Sequence, residues 1–153
     1  MQNGIHERFM ALAIEEAIEA KVNGDWPFGA IIVKNGIVIG KGHVKDKSGG
    51  DLTDHAELMA VRDACKYLNS NNLQGCEIYC TNEPCLMCAA GIFQANIDKV
   101  FMGASRDDLP HLLRSRKLRI EDIAEDTKRA NEVAQIIPAI TDKNNTGEKT
   151  SFN

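Results

Sequence analysis

The chain lacks the features that would place it in a membrane, outside the cell or on a polyanion. No apolar run among its 153 residues approaches the roughly 18–20 residues that are needed to span a bilayer. Residues 1–8 lack the basic and then apolar order of a signal peptide. The formal net charge is −4, whereas binding to nucleic acid depends on a surface rich in Lys and Arg. We therefore expect a soluble, cytoplasmic protein, in which the basic stretch 114–119 is either a local patch or a solvated helix end.

The cysteine content argues against a disulfide framework. The chain has five cysteines, an odd number. Cys85 and Cys88 are spaced like metal ligands, whereas the others lie among apolar residues (Cys65, Cys76 and Cys80). This distribution predicts free thiols in a reducing compartment.

The apolar content is sufficient for one compact domain. Apolar residues make up 43% of the chain, and we expect a single domain over residues 1–141 followed by a polar tail, 142–153. Periodicity predicts the following elements: helix 7–22, strands 30–34 and 37–42 joined by an Asn35-Gly36 turn, helix 54–68, strand 76–81, helix 84–95, strand 99–103, helices 109–116 and 120–130, and a weaker strand 133–140. This order predicts an α/β fold, a three-layer α/β/α sandwich around a mixed sheet of about five strands.

Two short segments carry the chemistry of a metal site: His55-Ala56-Glu57 and Pro84-Cys85-Leu86-Met87-Cys88. One imidazole and two thiolates can hold a zinc ion and leave its fourth position open for water, while a carboxylate moves protons. Cys85 and Cys88 share a helix face in a first turn, which favours thiolates, and Pro84 suits the first helical position. His55 and Glu57, two residues apart, converge only over a helix end. We therefore predict two helix N-termini facing each other across one Zn²⁺ per chain.

Two other interpretations of these residues compete with a catalytic site. Asp54 and Glu57 have the spacing of a capping box at a helix start. The cysteine pair could also belong to a structural zinc clip, but such a site is closed by four protein ligands. No fourth ligand has comparable spacing, since His6, His43 and His111 are isolated. We favour an open, hydrolytic site in which zinc activates water and Glu57 is the catalytic proton carrier.

The two segments together resemble the cytidine deaminase-like superfamily, in the branch of guanine deaminase, fungal-type cytosine deaminase and tRNA adenosine deaminase. The resemblance covers about residues 5–105 and rests on three motifs: Pro27-Phe28-Gly29-Ala30, His55-Ala56-Glu57, and Glu83-Pro84-Cys85-Leu86-Met87-Cys88 with the following Ala89-Ala90-Gly91. It implies a zinc-dependent deaminase and a homodimer. It also implies substrate contact by the backbone around Ala56 and by Phe28, whose aromatic ring is more typical of guanine deaminases than of the tRNA enzymes. Phe28 and Trp26 are equally well explained as core or loop anchors.

Two regions depart from the family pattern. Relatives usually carry a base-binding Asn where this chain has Val44, so we expect the neighbouring His43 or a loop residue to replace that contact. In guanine deaminases, acidic residues after the last core strand take part in the chemistry, which makes Asp107 a candidate, although helix capping by Asp107 and Asp108 is an alternative. The C-terminal segment lacks the basic residues expected of an RNA-binding enzyme.

Three functional hypotheses follow. The first is hydrolytic deamination of a free base or nucleoside, with guanine as the preferred substrate. The second is deamination of adenosine to inosine at the wobble position of tRNA. The third is a zinc-stabilised module without catalytic activity.

Overall fold

The computed structural model describes residues 2–109. The elements appear in the predicted order: α1 (Gln2–Val22), β1 (Gly29–Lys34), β2 (Ile37–His43), α2 (Ala56–Leu68), β3 (Cys76–Asn82), α3 (Leu86–Gln94), β4 (Lys99–Ala104) and a 3₁₀ turn (Arg106–Asp108). The predictions for the helices after residue 109, the strand 133–140, the basic stretch 114–119, the domain end at 141 and the tail lie outside the described residues. Among the helices of the described part, none is both long and apolar enough to cross a bilayer.

The sheet is mixed, as predicted. Its described strands run in the order β2-β1-β3-β4, with β1 antiparallel to both of its neighbours and β3 parallel to β4. Asn35 and Gly36 form the predicted turn between β1 and β2, with φ of 51° and 76°. Positive φ at both residues is what a tight two-residue hairpin turn requires.

Alternating residues of the central strands face two different helical layers. On one side α1 packs Phe9 and Ala13 against the sheet, and the sheet residues of this side are Ile31, Val33 and Tyr79. On the other side lie α2 and α3, and the buried residues that form this core include Ala30, Ile32, Ile78, Cys80, Ala56, Ala60, Ala64 and Ile92. Because successive strand residues point to opposite faces, the sheet is covered on both sides. The three-layer α/β/α sandwich is confirmed.

Helix α2 lies unusually close to strand β2, and two glycines permit the approach. A Cβ added to Gly42 would lie 2.2 Å from the Ala56 carbonyl oxygen, and one added to Gly40 would lie 2.5 Å from that of Ala60. Any side chain at these positions would overlap the helix backbone. The pair therefore fixes how near the start of α2 sits to the sheet.

Candidate metal centre

The two predicted ligand segments both stand at helix starts. His55 is the N-cap of α2 and Cys85 is the N-cap of α3, both with extended backbone and neither with a side-chain cap hydrogen bond. The prediction that Pro84 occupies the first helical position is wrong by two residues, because α3 begins at Leu86. Cys85 is therefore the N-cap residue, immediately before the first turn of α3.

The capping-box alternative for Glu57 is also wrong. Asp54 does not cap α2, and its Oδ1 instead accepts a hydrogen bond of 2.6 Å from the Arg62 guanidinium. Asp54 and Glu57 therefore do not form a capping box.

The three candidate ligands converge on one point. His55 Nδ1 lies 3.4 Å from Cys85 Sγ and 3.5 Å from Cys88 Sγ, and all three donor atoms lie within 4.8 Å of one another. For tetrahedral zinc with Zn–S near 2.3 Å and Zn–N near 2.0–2.1 Å, the expected N···S separation is about 3.5 Å. The donor set and its spacing therefore fit a zinc ion.

Cys85 and Cys88 shift each other's pKa in opposite directions. The pKa of Cys85 is lowered to about 4, chiefly because the Cys88 side chain donates a hydrogen bond to it and also because His55 does. The pKa of Cys88 is raised for the converse reason, with burial adding to the rise. A pair that shares one proton in this way offers two sulfurs to a cation, because a metal ion can take the place of the proton.

Glu57 lies at the same centre. Its side chain is buried, and it lies near enough to Cys85, Cys88 and His55 for all three to affect its pKa. Burial raises the pKa of Glu57, and the charge on Cys85 raises it further. Behind it on β3, burial and then the charge on Glu57 raise the pKa of Cys80. The structure therefore brings together His55, Glu57, Cys85 and Cys88.

Three other residues are predicted to contact the substrate: Ala56, Phe28 and Asp107. Ala56 is buried as the first residue of α2, between His55 and Glu57 in sequence. Phe28 is buried in the core and stacks on Trp26 with ring centroids 6.3 Å apart, which is the arrangement of a core anchor. Asp107 is exposed in the 3₁₀ turn, and its neighbour Asp108 forms a capping box with Ser105.

His43 contacts the α1 side of the sheet. Its Nδ1 lies 2.8 Å from Glu16 Oε2 of α1, whereas the preceding Gly42 faces α2. Val44 is buried in the core. His43 is therefore not among the three candidate ligands that converge, and its role as a substrate contact stays a prediction.

Sequence reasoning missed a network that holds the loop leading into His55. The buried carboxylate of Asp25 accepts hydrogen bonds from the Lys47 and Ser48 amides and from the Ser48 hydroxyl, at 2.6–3.0 Å. The Lys47 ammonium lies 5.1 Å from the centroid of the Trp26 ring. The only hint in the sequence is an acidic residue in a turn, which is too common to be specific.

Comparisons with known proteins agree with this geometry. Residues 3–104 match the family model of the cytidine and deoxycytidylate deaminase zinc-binding region. The chain is 44% identical over 98 residues to a tRNA-specific adenosine deaminase of Aquifex aeolicus, matching 64% of this chain and 65% of that protein. It is 40% identical over 106 residues to a guanine deaminase of Bacillus subtilis, matching 67% of each.

Solved structures point to the same two groups. One, from studies of A-to-I editing by tRNA:A34 deaminases at the wobble position, has a TM-score of 0.63 and 39% identity, over 65% of this chain and 72% of its own. The guanine deaminase of Bacillus subtilis has a TM-score of 0.65 and 31% identity, over 82% of this chain and 94% of its own. The chain therefore belongs to the cytidine and deoxycytidylate deaminase zinc-binding family, within the cytidine deaminase-like superfamily. The cofactor of this family is zinc.

Proposed function

We propose that the protein is a zinc-dependent hydrolase that converts a ring amine of a nucleobase or nucleoside to a carbonyl. The observation that carries the proposal is the convergence of His55, Cys85 and Cys88 within 4.8 Å, with the buried Glu57 two residues after His55 in the first turn of α2. In the balanced reaction, one water adds to the amine-bearing carbon and one ammonia leaves.

His55, Cys85 and Cys88 would hold the metal. When bound, zinc would supply a Lewis acid that lowers the pKa of water to about 7. Only three protein ligands converge among the described residues, which is the ligand number of catalytic zinc sites rather than of closed structural ones.

Glu57 would move the protons. It stands in the first turn of α2, so its carboxylate reaches the same space as the His55 side chain. From there it can accept a proton from the attacking water and pass it to a ring nitrogen of the substrate. It can then take the second proton, from the hydroxyl now on the ring carbon, and give it to the departing amine, so that a carbonyl and ammonia result. Its burial keeps bulk water from competing for that proton.

For the substrate we propose a free purine base, with guanine first. The acidic net charge of −4 and the match to 94% of the guanine deaminase structure support this choice. Adenosine in the tRNA wobble position is the second candidate, supported by the 44% identity to the Aquifex aeolicus tRNA enzyme. We also propose the homodimer that the family resemblance implies, which sedimentation velocity can test.

An ammonia-release screen tests the function directly. The zinc-loaded protein is offered guanine, adenine, cytosine, their nucleosides and a tRNA anticodon stem-loop. Release from guanine alone supports the first choice, and release from the stem-loop with strong salt dependence supports the second.

The matched control is a pair of glutamate variants. Glu57→Gln should abolish most of the release, whereas Glu19→Gln, on the exposed side of α1, should not affect it. One bound zinc per chain without release from any compound would contradict the proposal and favour a zinc-stabilised module without catalysis.

A further inference from the structure

Arg106 binds the Glu83–Pro84 peptide, which immediately precedes Cys85, the first of the two candidate cysteine ligands. Its Nη2 donates a 2.7 Å hydrogen bond to the Pro84 carbonyl oxygen and lies 3.2 Å from Glu83 Oε1. The Arg106 backbone amide donates a further hydrogen bond of 3.0 Å to Glu83 Oε2. The side chain is buried although it carries a charge, so these contacts are made largely out of water.

The backbone of the Glu83–Pro84 segment is also held in place. The Glu83 amide donates a 2.7 Å hydrogen bond to the Ala104 carbonyl oxygen, at the point where β3 and β4 end side by side. Glu83 and Pro84 are therefore held to β4 and the 3₁₀ turn from both backbone and side chain. The next residue is Cys85, whose extended backbone sets the direction of its sulfur before α3 begins.

We propose that Arg106 is a positioning residue of the metal centre, which fixes the Glu83–Pro84 peptide and through it the Cys85 sulfur. This inference rests on the proposed zinc-binding role of Cys85. Hydrogen bonds to ionised groups are roughly twice as strong as neutral ones, and the Nη2 nitrogen of Arg106 serves the Pro84 carbonyl and the Glu83 carboxylate together. A lysine side chain is one bond shorter, so its ammonium cannot reach both acceptors as closely.

The test measures zinc affinity in the full chain. Arg106→Ala and Arg106→Lys are titrated against a chelator of known zinc affinity, at a temperature well below the unfolding transition of each variant. Loss of groups that orient a metal ligand typically weakens metal binding by about 10–100-fold. Because Arg106 acts through the neighbouring peptide, we expect about a tenfold loss for Arg106→Ala and a smaller loss for Arg106→Lys.

A cobalt spectrum separates positioning from general stability. In the Co²⁺-substituted protein, a displaced Cys85 thiolate should change the sulfur-to-cobalt absorption band, which a uniform loss of stability would not affect. Lys99→Met is the control, since it removes a cation paired at 3.2 Å with Glu77 at the opposite end of the β3–β4 pair, and it should leave zinc affinity unchanged.

The outcomes distinguish this inference from the proposed function. Wild-type zinc affinity and an unchanged cobalt spectrum in both Arg106 variants would overturn the inference alone. A wild-type protein that binds no zinc would overturn both. If Arg106→Ala fails to fold, Arg106→Lys and Glu83→Gln provide the test. Each of these variants keeps a side chain of similar shape and loses only some of the contacts between Arg106 and the Glu83–Pro84 peptide.

Discussion

Replacing Gly42 by alanine should damage both the fold and the metal centre. The added Cβ would lie 2.2 Å from the Ala56 carbonyl oxygen and 2.4 Å from the Ala60 amide nitrogen. Both atoms belong to the backbone of α2, so no side-chain rotation can relieve the overlap. The start of α2, which carries His55 and Glu57, must therefore move away from the sheet.

The size of the effect follows from the distances. Increasing the contact from 2.2 Å to the 3.4 Å at which ordinary contact begins requires a displacement of about 1.2 Å. Overpacking typically costs about 1–3 kcal/mol, and a rigid backbone neighbour places Gly42→Ala near the upper end. For a chain of 153 residues, about 3 kcal/mol lowers Tm by roughly 6–12 °C. A misplacement of about 1 Å in a catalytic group costs about 10²-fold in rate.

The assay compares Gly42→Ala with Gly40→Ala. A Cβ at Gly40 overlaps α2 one turn later, 2.5 Å from the Ala60 carbonyl oxygen, so both variants should lose stability. Only Gly42→Ala should also lose most of its zinc affinity and its turnover per bound zinc. Gly4→Ala, with no atom within 4 Å of the new Cβ, is the control, and because Gly4 lies within α1 it should not lose stability. A Gly42→Ala protein with wild-type Tm and zinc affinity would refute this reasoning.

Three further predictions concern single side chains. Glu57→Gln should retain zinc and lose about 10²–10⁴-fold in turnover, and a variant that keeps more than about a tenth of the wild-type rate would contradict a proton-transfer role. Hydrogen bonds, first from the Ser48 hydroxyl, lower the pKa of Asp25 below its ordinary 3.8, so its stabilisation is complete above pH 3.8 and is lost as the pH falls through the folded-state value. Asp25→Asn should therefore lower Tm at pH 7. In thermal melts, the difference in Tm between the wild type and this variant should disappear below pH 3.8, and a difference that stays constant would contradict this. Tyr79→Phe removes a hydroxyl that bonds Glu77 and lies 2.8 Å from His6, so urea unfolding should show a loss of about 1 kcal/mol. Its zinc affinity should not change, because Tyr79 faces α1; a weakened affinity would refute that assignment.

The candidate metal ligands could be predicted from sequence because their chemistry and spacing are local. Cys85 and Cys88 occupy one helical turn, and His55 with Glu57 makes sense only over a helix end, so the two segments had to meet at helix N-termini. The structure confirms that arrangement. The strands and helices of residues 2–109 could be predicted for a similar reason, since apolar periodicity reports on burial over short windows.

The surroundings of the metal could not be predicted, because they depend on contacts between distant residues. Arg106 and Glu83 are 23 residues apart, and neither belongs to a periodic pattern. The prediction that His43 contacts the substrate rests only on its position next to Val44 in sequence. Strand alternation places Gly42 and His43 on opposite faces, but the sequence does not reveal which face receives α2.

X-ray absorption of the zinc-loaded protein tests the metal centre most directly. We predict one zinc per chain with two sulfur neighbours at about 2.3 Å and two nitrogen or oxygen neighbours at about 2.0–2.1 Å, one of them exchangeable water. Cys85→Ser should remove one sulfur neighbour. Four protein ligands with no water, or a spectrum unchanged by substitution of His55 or either cysteine, would contradict an open three-ligand site.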